Sequence, residues 1–327
     1  MSSADTSRIS LVVLSHNRAA QLSVTLAHAV SLPEKPHVIV VDNGSRDGSP
    51  DLVASRFPQV QLIALLRNYG AAARNFGARR ASTPFVAFAD DDTFWMPGSL
   101  QRACDLLEAY PRIGALNARV LVGLEQREDP TCRRMHESPL PAKELPGPAL
   151  TSFLAGATVF RRSAYLKAGG YEPRFFVGGE EGLLALDLLT LGFSIVYAPT
   201  LVVCHFPAAN RNIEQRRALV ARNDLWTAWL RRHPRVVARR TLAFAARAAS
   251  ASRPLQAFSD AMRGLPWALR NRRVVPPQVE ALCELVERHP EEPRDLAATS
   301  TKIGRPADRP FRARSSMRSP NAKHGGV

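Results

Sequence analysis

The chain has 327 residues, 45% of them hydrophobic, and a formal net charge of +15. That is enough apolar material for a sizeable core, and it excludes a disulfide-stapled mini-protein and a wholly disordered chain. The four cysteines (Cys104, Cys132, Cys204 and Cys283) form no CxxC pair, which argues against structural zinc and for reduced thiols.

Residues 9–14 predict a short buried strand. This apolar run is too short for a signal-peptide core, and no cleavage pattern follows it. No window approaches the roughly 18 apolar residues of a membrane-spanning helix. Residues 18–31 predict a helix stopped by Pro33, and residues 37–42 (HVIVVD) a strand covered on both faces. A helix over 47–57, a strand over 60–66, a helix over 70–81 and a strand over 85–89 follow. That last strand runs straight into Asp90, Asp91 and Asp92. Residues 97–110 predict a helix and 113–122 a further strand. The alternation argues for a parallel, doubly wound α/β sheet, in which ligands gather beyond the carboxyl ends of the strands.

The rhythm then breaks. Residues 123–150 hold five prolines and read as a long excursion. Residues 151–161 predict a strand or strand pair, 163–169 a short helix, 180–191 a helix closed by Gly192, and 193–204 one or two strands. Residues 1–210 are almost neutral, with 20 Lys+Arg against 19 Asp+Glu, whereas 211–273 carry 15 Arg against 3 acids. That stretch predicts an Arg-rich helix over 211–251, with Leu219, Leu225, Trp226, Trp229 and Leu230 at helical spacing. A basic extension suits phosphate-rich partners such as anionic membrane, nucleic acid or a phosphorylated substrate. It is equally what a solvated Arg-rich face looks like. Residues 278–289 predict a short amphipathic helix, and 290–327 a disordered tail.

Three segments carry chemistry. In FVAFADDDTFWMPGSL, a buried strand ends in three adjacent carboxylates, which repel unless something holds them. A divalent cation, Mg²⁺ or Mn²⁺, uses one or two carboxylates with phosphate oxygens, and the same acids suit ribose hydroxyls. In VIVVDNGSRDGS, Asp42 stands at a strand end before a Gly44 turn, where an acid can bond a base or sugar edge. In LRNYGAAARNFGARR, Asn68, Gly70 and Arg74 open a helix and suit an anion. Neither GxGxxG after the first strand nor GxxxxGK[ST] is present, so dinucleotide and P-loop fingerprints are excluded.

Taken in order, LVVLSHNR, VIVVDNGSRDGS, RNYGAAARNFGARR, FADDDTFWMPGSL, GATVFRRSAYLKAGGYEPRFFVGGEEG and YAPTLVVCH resemble the family 2 glycosyltransferases over roughly residues 9–206. The resemblance implies a GT-A fold, with a Rossmann-like, mostly parallel sheet, helices on both faces and a C-terminal helical extension. It divides the chain into a nucleotide-sugar half (1–122), an acceptor and catalytic half (123–210), a basic helical extension (211–290) and a tail (291–327). It implies inverting transfer of a sugar from a nucleoside-diphosphate donor to a hydroxyl of a cell-envelope, polysaccharide or glycolipid acceptor, assisted by Mg²⁺ or Mn²⁺. Ser15, Asn17, Arg18, Asp42, Asn68, Arg74, Asp90 and Asp91 then correspond to donor-binding positions. Asp92 corresponds to the metal ligand, with Asp90 and His205 as further candidates. Glu181 stands where the family has its catalytic base, with Glu180 beside it. The family's usual pair there is Glu-Asp with a further acid two residues on, and this chain has Glu-Glu and Leu183.

A cytoplasmic protein is expected, with peripheral contact at the inner face of the plasma membrane through the basic stretch and its Trp226, Trp229 and Trp267. Nucleic acid is not an expected partner, because no recognition module is seen. Two alternatives stand beside this reading: a non-catalytic or degenerate sugar-nucleotide binder, and a sugar-phosphate nucleotidyltransferase. The latter lacks its expected Gly-rich basic loop after the first strand.

Overall fold

The computed structural model describes residues 7–207, 213–249 and 254–289, so the expected disordered tail lies outside the described residues. The described chain lies in one compact unit. Four strands, β1 (Ile9–Ser15), β2 (His37–Asp42), β3 (Gln61–Ala64) and β4 (Phe85–Asp90), pair in parallel in the order β3-β2-β1-β4. Helices α1 (Ala19–Val30), α2 (Ser49–Arg56) and α3 (Arg74–Arg80) connect them. Residues 70–73, expected to continue α3, form a separate 3-10 turn. Val12, Val13, Ile39, Val40, Ala87 and Phe88 are wholly buried, as unbroken apolar strands in a covered sheet require.

Beyond β4 come the short β5 (Thr93–Trp95), α4 (Ser99–Ala109) and β6 (Ile113–Val122). The excursion is partly ordered, into β7 (Arg127–Glu128) and α5 (Pro130–His136). Asp129 caps α5 by accepting from Thr131 N at 2.7 Å, and Pro130 holds the first helical position, where its missing N–H costs nothing. Then come β8 (Thr158–Arg161), α6 (Arg162–Lys167), α7 (Glu180–Thr190) and β9 (Ser194–His205). β8 runs antiparallel between β4 and β6, while β9 is parallel to β6. The sheet is therefore mostly parallel rather than wholly so. A strand buried on both faces has the same apolar pattern in either direction, which is why its sense is invisible in the sequence.

Gly77 marks a close approach of α3 to the sheet. A Cβ there would overlap Val12 Cγ1 and stand 3.1 Å from Val41 Cγ2. Gly77→Ala should destabilise the protein by about 1–3 kcal/mol from overpacking, although helix propensity alone favours alanine by about 1 kcal/mol. The check is a lower denaturant midpoint at unchanged slope.

The basic stretch forms two helices, α8 (Ile213–Arg231) and α9 (Pro234–Ala249), not one. Pro234 lacks an N–H and disfavours helix at His233, so the chain breaks there. They are followed by α10 (Pro254–Arg263), α11 (Leu265–Arg270) and α12 (Pro277–Arg288). Trp226 and Trp229 do not face a membrane. They are buried in a second apolar core with Phe175, Leu183, Leu225 and Leu230, and their indole N–H groups donate to Ala261 O and Thr241 Oγ1 at 2.9 and 3.0 Å. Trp267 packs against that core, with the Arg174 guanidinium 4.8 Å above its ring. Arg232, also buried, is held by Glu280 and Glu287 at 2.8 and 2.7 Å. No helix among the described residues is long and apolar enough to cross a membrane. All four cysteines are buried and free.

Candidate functional site

The parallel register sets Ser15 beside Asp42 and Leu14 beside Asp90, so the carboxyl ends of β1, β2 and β4 form one rim. On it, Asp91 Oδ2 accepts from Ser15 Oγ at 2.9 Å. Arg18 Nη1 donates to Asp91 Oδ1 at 3.0 Å and to Asp92 Oδ2 at 2.9 Å. Burial, reinforced by Asp92 and opposed by Arg18, leaves the Asp91 carboxyl raised to about 6. The pairing of β5 with β9 sets His205 opposite Thr93, which places His205 Nε2 3.5 Å from Asp92 Oδ1. A carboxylate in the turn before β5 and an imidazole at the end of β9 are a fitting two-donor set for a divalent cation that completes its shell with phosphate oxygens and water. Among the described residues no group of three or more such side chains could hold a metal by itself.

Asp90 does not join that pair. Its carboxylate takes an ion pair with Arg74. Arg74 in turn is not on the rim. It is 4% exposed, with its guanidinium 5.8 Å from the Tyr171 ring centroid, and joins Asp90 electrostatically to Glu180 and Glu181. Burial alone would disfavour its charge; Asp90 together with Tyr171, Glu180 and Glu181 more than compensates.

On the other side of β1, Asp42 is 1% exposed. Its Oδ2 accepts from Ser45 N at 3.0 Å, while Oδ1 is buried with no hydrogen-bond partner among the described residues. A buried acceptor oxygen left unpaired is expensive, and a donor group on a ligand is the natural partner. Asn17 is the hinge of this rim. At φ 53°, it accepts from Arg46 N at 2.8 Å through Oδ1, while its own N donates to Ser45 Oγ at 2.8 Å. Asn68 serves as a brace: its Oδ1 accepts from Asn43 Nδ2 at 2.9 Å and Gly70 N at 2.8 Å. Asn43 completes the loop by accepting from Tyr69 N at 2.8 Å. Sequence reasoning gave Asn43 no role of its own, although an Asn directly after the strand-end acid is a turn-bracing signal. Asn75 ties Arg74's helix to the later half, accepting from Tyr165 Oη at 2.6 Å and Tyr171 N at 2.9 Å.

Glu180 and Glu181 open α7 directly after Gly178 and Gly179, both at positive φ (89° and 81°). Glu180 is 5% exposed, and its Oε2 has no hydrogen-bond partner among the described residues; Glu181 is half-buried. Burial raises both carboxyls above the ordinary range, the neighbouring Glu180 raises Glu181 further, and Arg74 and Arg216 hold both back. Two adjacent carboxyls in this state titrate as a unit and can accept a proton near neutral pH.

The family model described as "Glycosyl transferase family 2" matches residues 10–168. The N-acetylglucosaminyl-diphospho-decaprenol L-rhamnosyltransferase of Mycobacterium tuberculosis is 27% identical over 236 residues, covering 61% of this chain and 76% of that protein. The pre-mycofactocin glycosyltransferase of the same organism is 32% identical over 181 residues, 51% of this chain but 37% of its own length. Among solved structures, the mannosyltransferase PcManGT from Pyrobaculum calidifontis, in complex with GDP-Man and Mn²⁺, aligns with a TM-score of 0.51 at 20% identity, over 88% of this chain and 76% of that one. S. aureus TarS 1-349 aligns with a TM-score of 0.56 at 16% identity, over 84% and 83%. At these identities the two structures speak to the fold, a glycosyltransferase α/β fold with a mostly parallel sheet.

Proposed function

The chain belongs to the family 2 glycosyltransferases, and from that premise we propose that it transfers a sugar, with inversion, from a nucleoside-diphosphate donor to a hydroxyl of a lipid-linked or polysaccharide acceptor of the cell envelope. One observation carries the reading: Asp42, Asp91 and Asp92 share one sheet rim, with an orphaned buried oxygen on Asp42 and His205 beside Asp92. Asp42 accepts a hydrogen bond from the donor's base, Asp91 from its ribose, and Ser15, Asn17 and Arg18 shape the floor beneath. Asp92 and His205 would hold Mg²⁺ or Mn²⁺, which when bound neutralises charge developing on the diphosphate leaving group. Glu181 takes the proton of the acceptor hydroxyl as its oxygen bonds to the anomeric carbon and the carbon–phosphate-oxygen bond breaks.

The lipid-linked acceptor is supported by the name of the mycobacterial relative, which includes a diphospho-decaprenol. It is supported further by the Arg-rich helices, whose exposed guanidinium groups suit an anionic membrane surface at the cytoplasmic face. Trp226 and Trp229 take no part in such a contact, since they are committed to the core. Co-sedimentation with vesicles should therefore need anionic lipid and should weaken with salt.

The test is a thermal-shift screen of UDP-, GDP- and dTDP-sugars with and without Mn²⁺. It is followed by turnover of the stabilising donor with a polyprenyl-diphosphate sugar as acceptor. Binding to the folded state must raise the melting temperature by mass action. If no nucleotide sugar shifts it with or without Mn²⁺, the reading fails.

A further inference from the structure

Asn223, in α8, is wholly buried and far in sequence from the rim. Its Nδ2 donates to the carbonyls of Phe175 at 2.9 Å and Gly178 at 2.6 Å, and its Oδ1 accepts from Arg222 Nε and Nη2 at 3.1 and 2.9 Å. The amide's orientation follows from its neighbours, since carbonyls only accept and a guanidinium only donates. Arg222 also donates to Phe175 O at 3.1 Å, and its guanidinium stacks 4.3 Å over the Trp226 ring. The held carbonyls belong to the loop that runs directly into Glu180.

The same loop is gripped from the opposite side. Ala71 N donates to Phe176 O at 2.6 Å, an approach open only because Gly70 has no Cβ to overlap that oxygen. Between the two grips Phe176 is held at φ 63° and ψ −75°, a conformation that costs a non-glycine residue of order 1–3 kcal/mol and persists only where the surroundings over-determine it. Gly178 fits under α8 so closely that a Cβ would lie 2.8 Å from Val220 Cγ2.

We propose that Asn223, braced by Arg222, is a positioning residue for the transfer reaction: it locks the loop over 172–179 and thereby aims the Glu180–Glu181 pair at the acceptor. The idea rests on the reading above and deepens it. The C-terminal helices become part of the catalytic apparatus instead of an appendage to it. A base displaced by about 1 Å costs on the order of 100-fold in rate, so the grip need slip only slightly to be felt.

Asn223→Asp tests this in the full-length protein. It keeps the size and the Arg222 partner but, as a carboxylate, can donate to neither carbonyl. The expected result is kcat down on the order of 100-fold with the donor KM within about threefold of wild type. Amide hydrogen exchange of peptides spanning 172–183 should accelerate, with β1 to β4 unchanged. A kcat within about twofold of wild type, or unaltered exchange in 172–183, overturns the proposal. So does a KM that rises in step with the fall in kcat/KM while kcat holds. Should Asn223→Asp unfold the protein, Arg222→Met removes the brace and its own bond to Phe175 O while leaving Asn223 in place, and an unchanged kcat there is equally fatal. If the wild type binds donor but turns over no acceptor, the transferase reading itself fails. The exchange experiment judges the grip separately, because it needs no turnover.

Discussion

Glu181→Gln should lower turnover by on the order of 10²–10⁴-fold, the usual worth of a general base, while the donor-induced rise in melting temperature should be retained. The argument is local. Glu181 sits at the first turn of α7 beside Glu180, and burial followed by the Glu180 charge raises its carboxyl. A base must be deprotonated to act, so wild-type kcat should climb with pH through the raised value, later than an exposed glutamate would allow. The sign for stability is opposite. A carboxyl whose folded-state pKa is raised contributes stability that is fully present below the unfolded value and is lost as pH rises through the folded one. Glutamine cannot ionise, so the variant should melt above wild type on the alkaline side and converge with it on the acid side. Melting curves across pH, run beside initial rates, check both halves. If Glu181→Gln keeps its rate, the same pair of measurements on Glu180→Gln identifies the base.

Asp92→Ala should abolish the Mn²⁺ dependence of donor binding and cost on the order of 10³-fold in kcat/KM, about 4 kcal/mol of charge stabilisation. The fold should survive, because Arg18 keeps Asp91 as a partner and is exposed enough to rehydrate. Titrating Mn²⁺ against the donor-induced melting shift checks this directly. Asp90→Ala provides the contrast. It strips Arg74, a buried guanidinium, of its ion-pair partner, and leaving a buried charge uncompensated is strongly destabilising. That variant should lower the melting temperature while leaving the Mn²⁺ response of the folded fraction in place. Identical behaviour of the two variants would erase the distinction drawn between the neighbouring aspartates.

The rim was legible because its signals are local: β2 and β4 are apolar runs that end in acids, and a sheet of this kind offers its strand ends to ligands. The relation of Asp90 to Asp92 was not legible, since adjacent residues on a turn leave in different directions and only Arg74, 16 positions back, decides which way Asp90 turns. Helical spacing identified Trp226 and Trp229 as one face of a helix but could not say whether protein or lipid covers it. Phe175, Leu183 and Ala261 supply the cover. Asn223 carried no signal at all, because its partners lie 48 and 45 residues away and their carbonyls belong to backbone that any sequence possesses.

Arg18, lodged between Asp91 and Asp92, has a consequence for the life of the protein in the cell. The chain carries its own counter-ion for these two acids, so maturation need not wait on the supply of divalent ions. On the proposed cation-assisted reading, a shortage of manganese or magnesium would idle a finished molecule rather than strand a half-made one before the proteases.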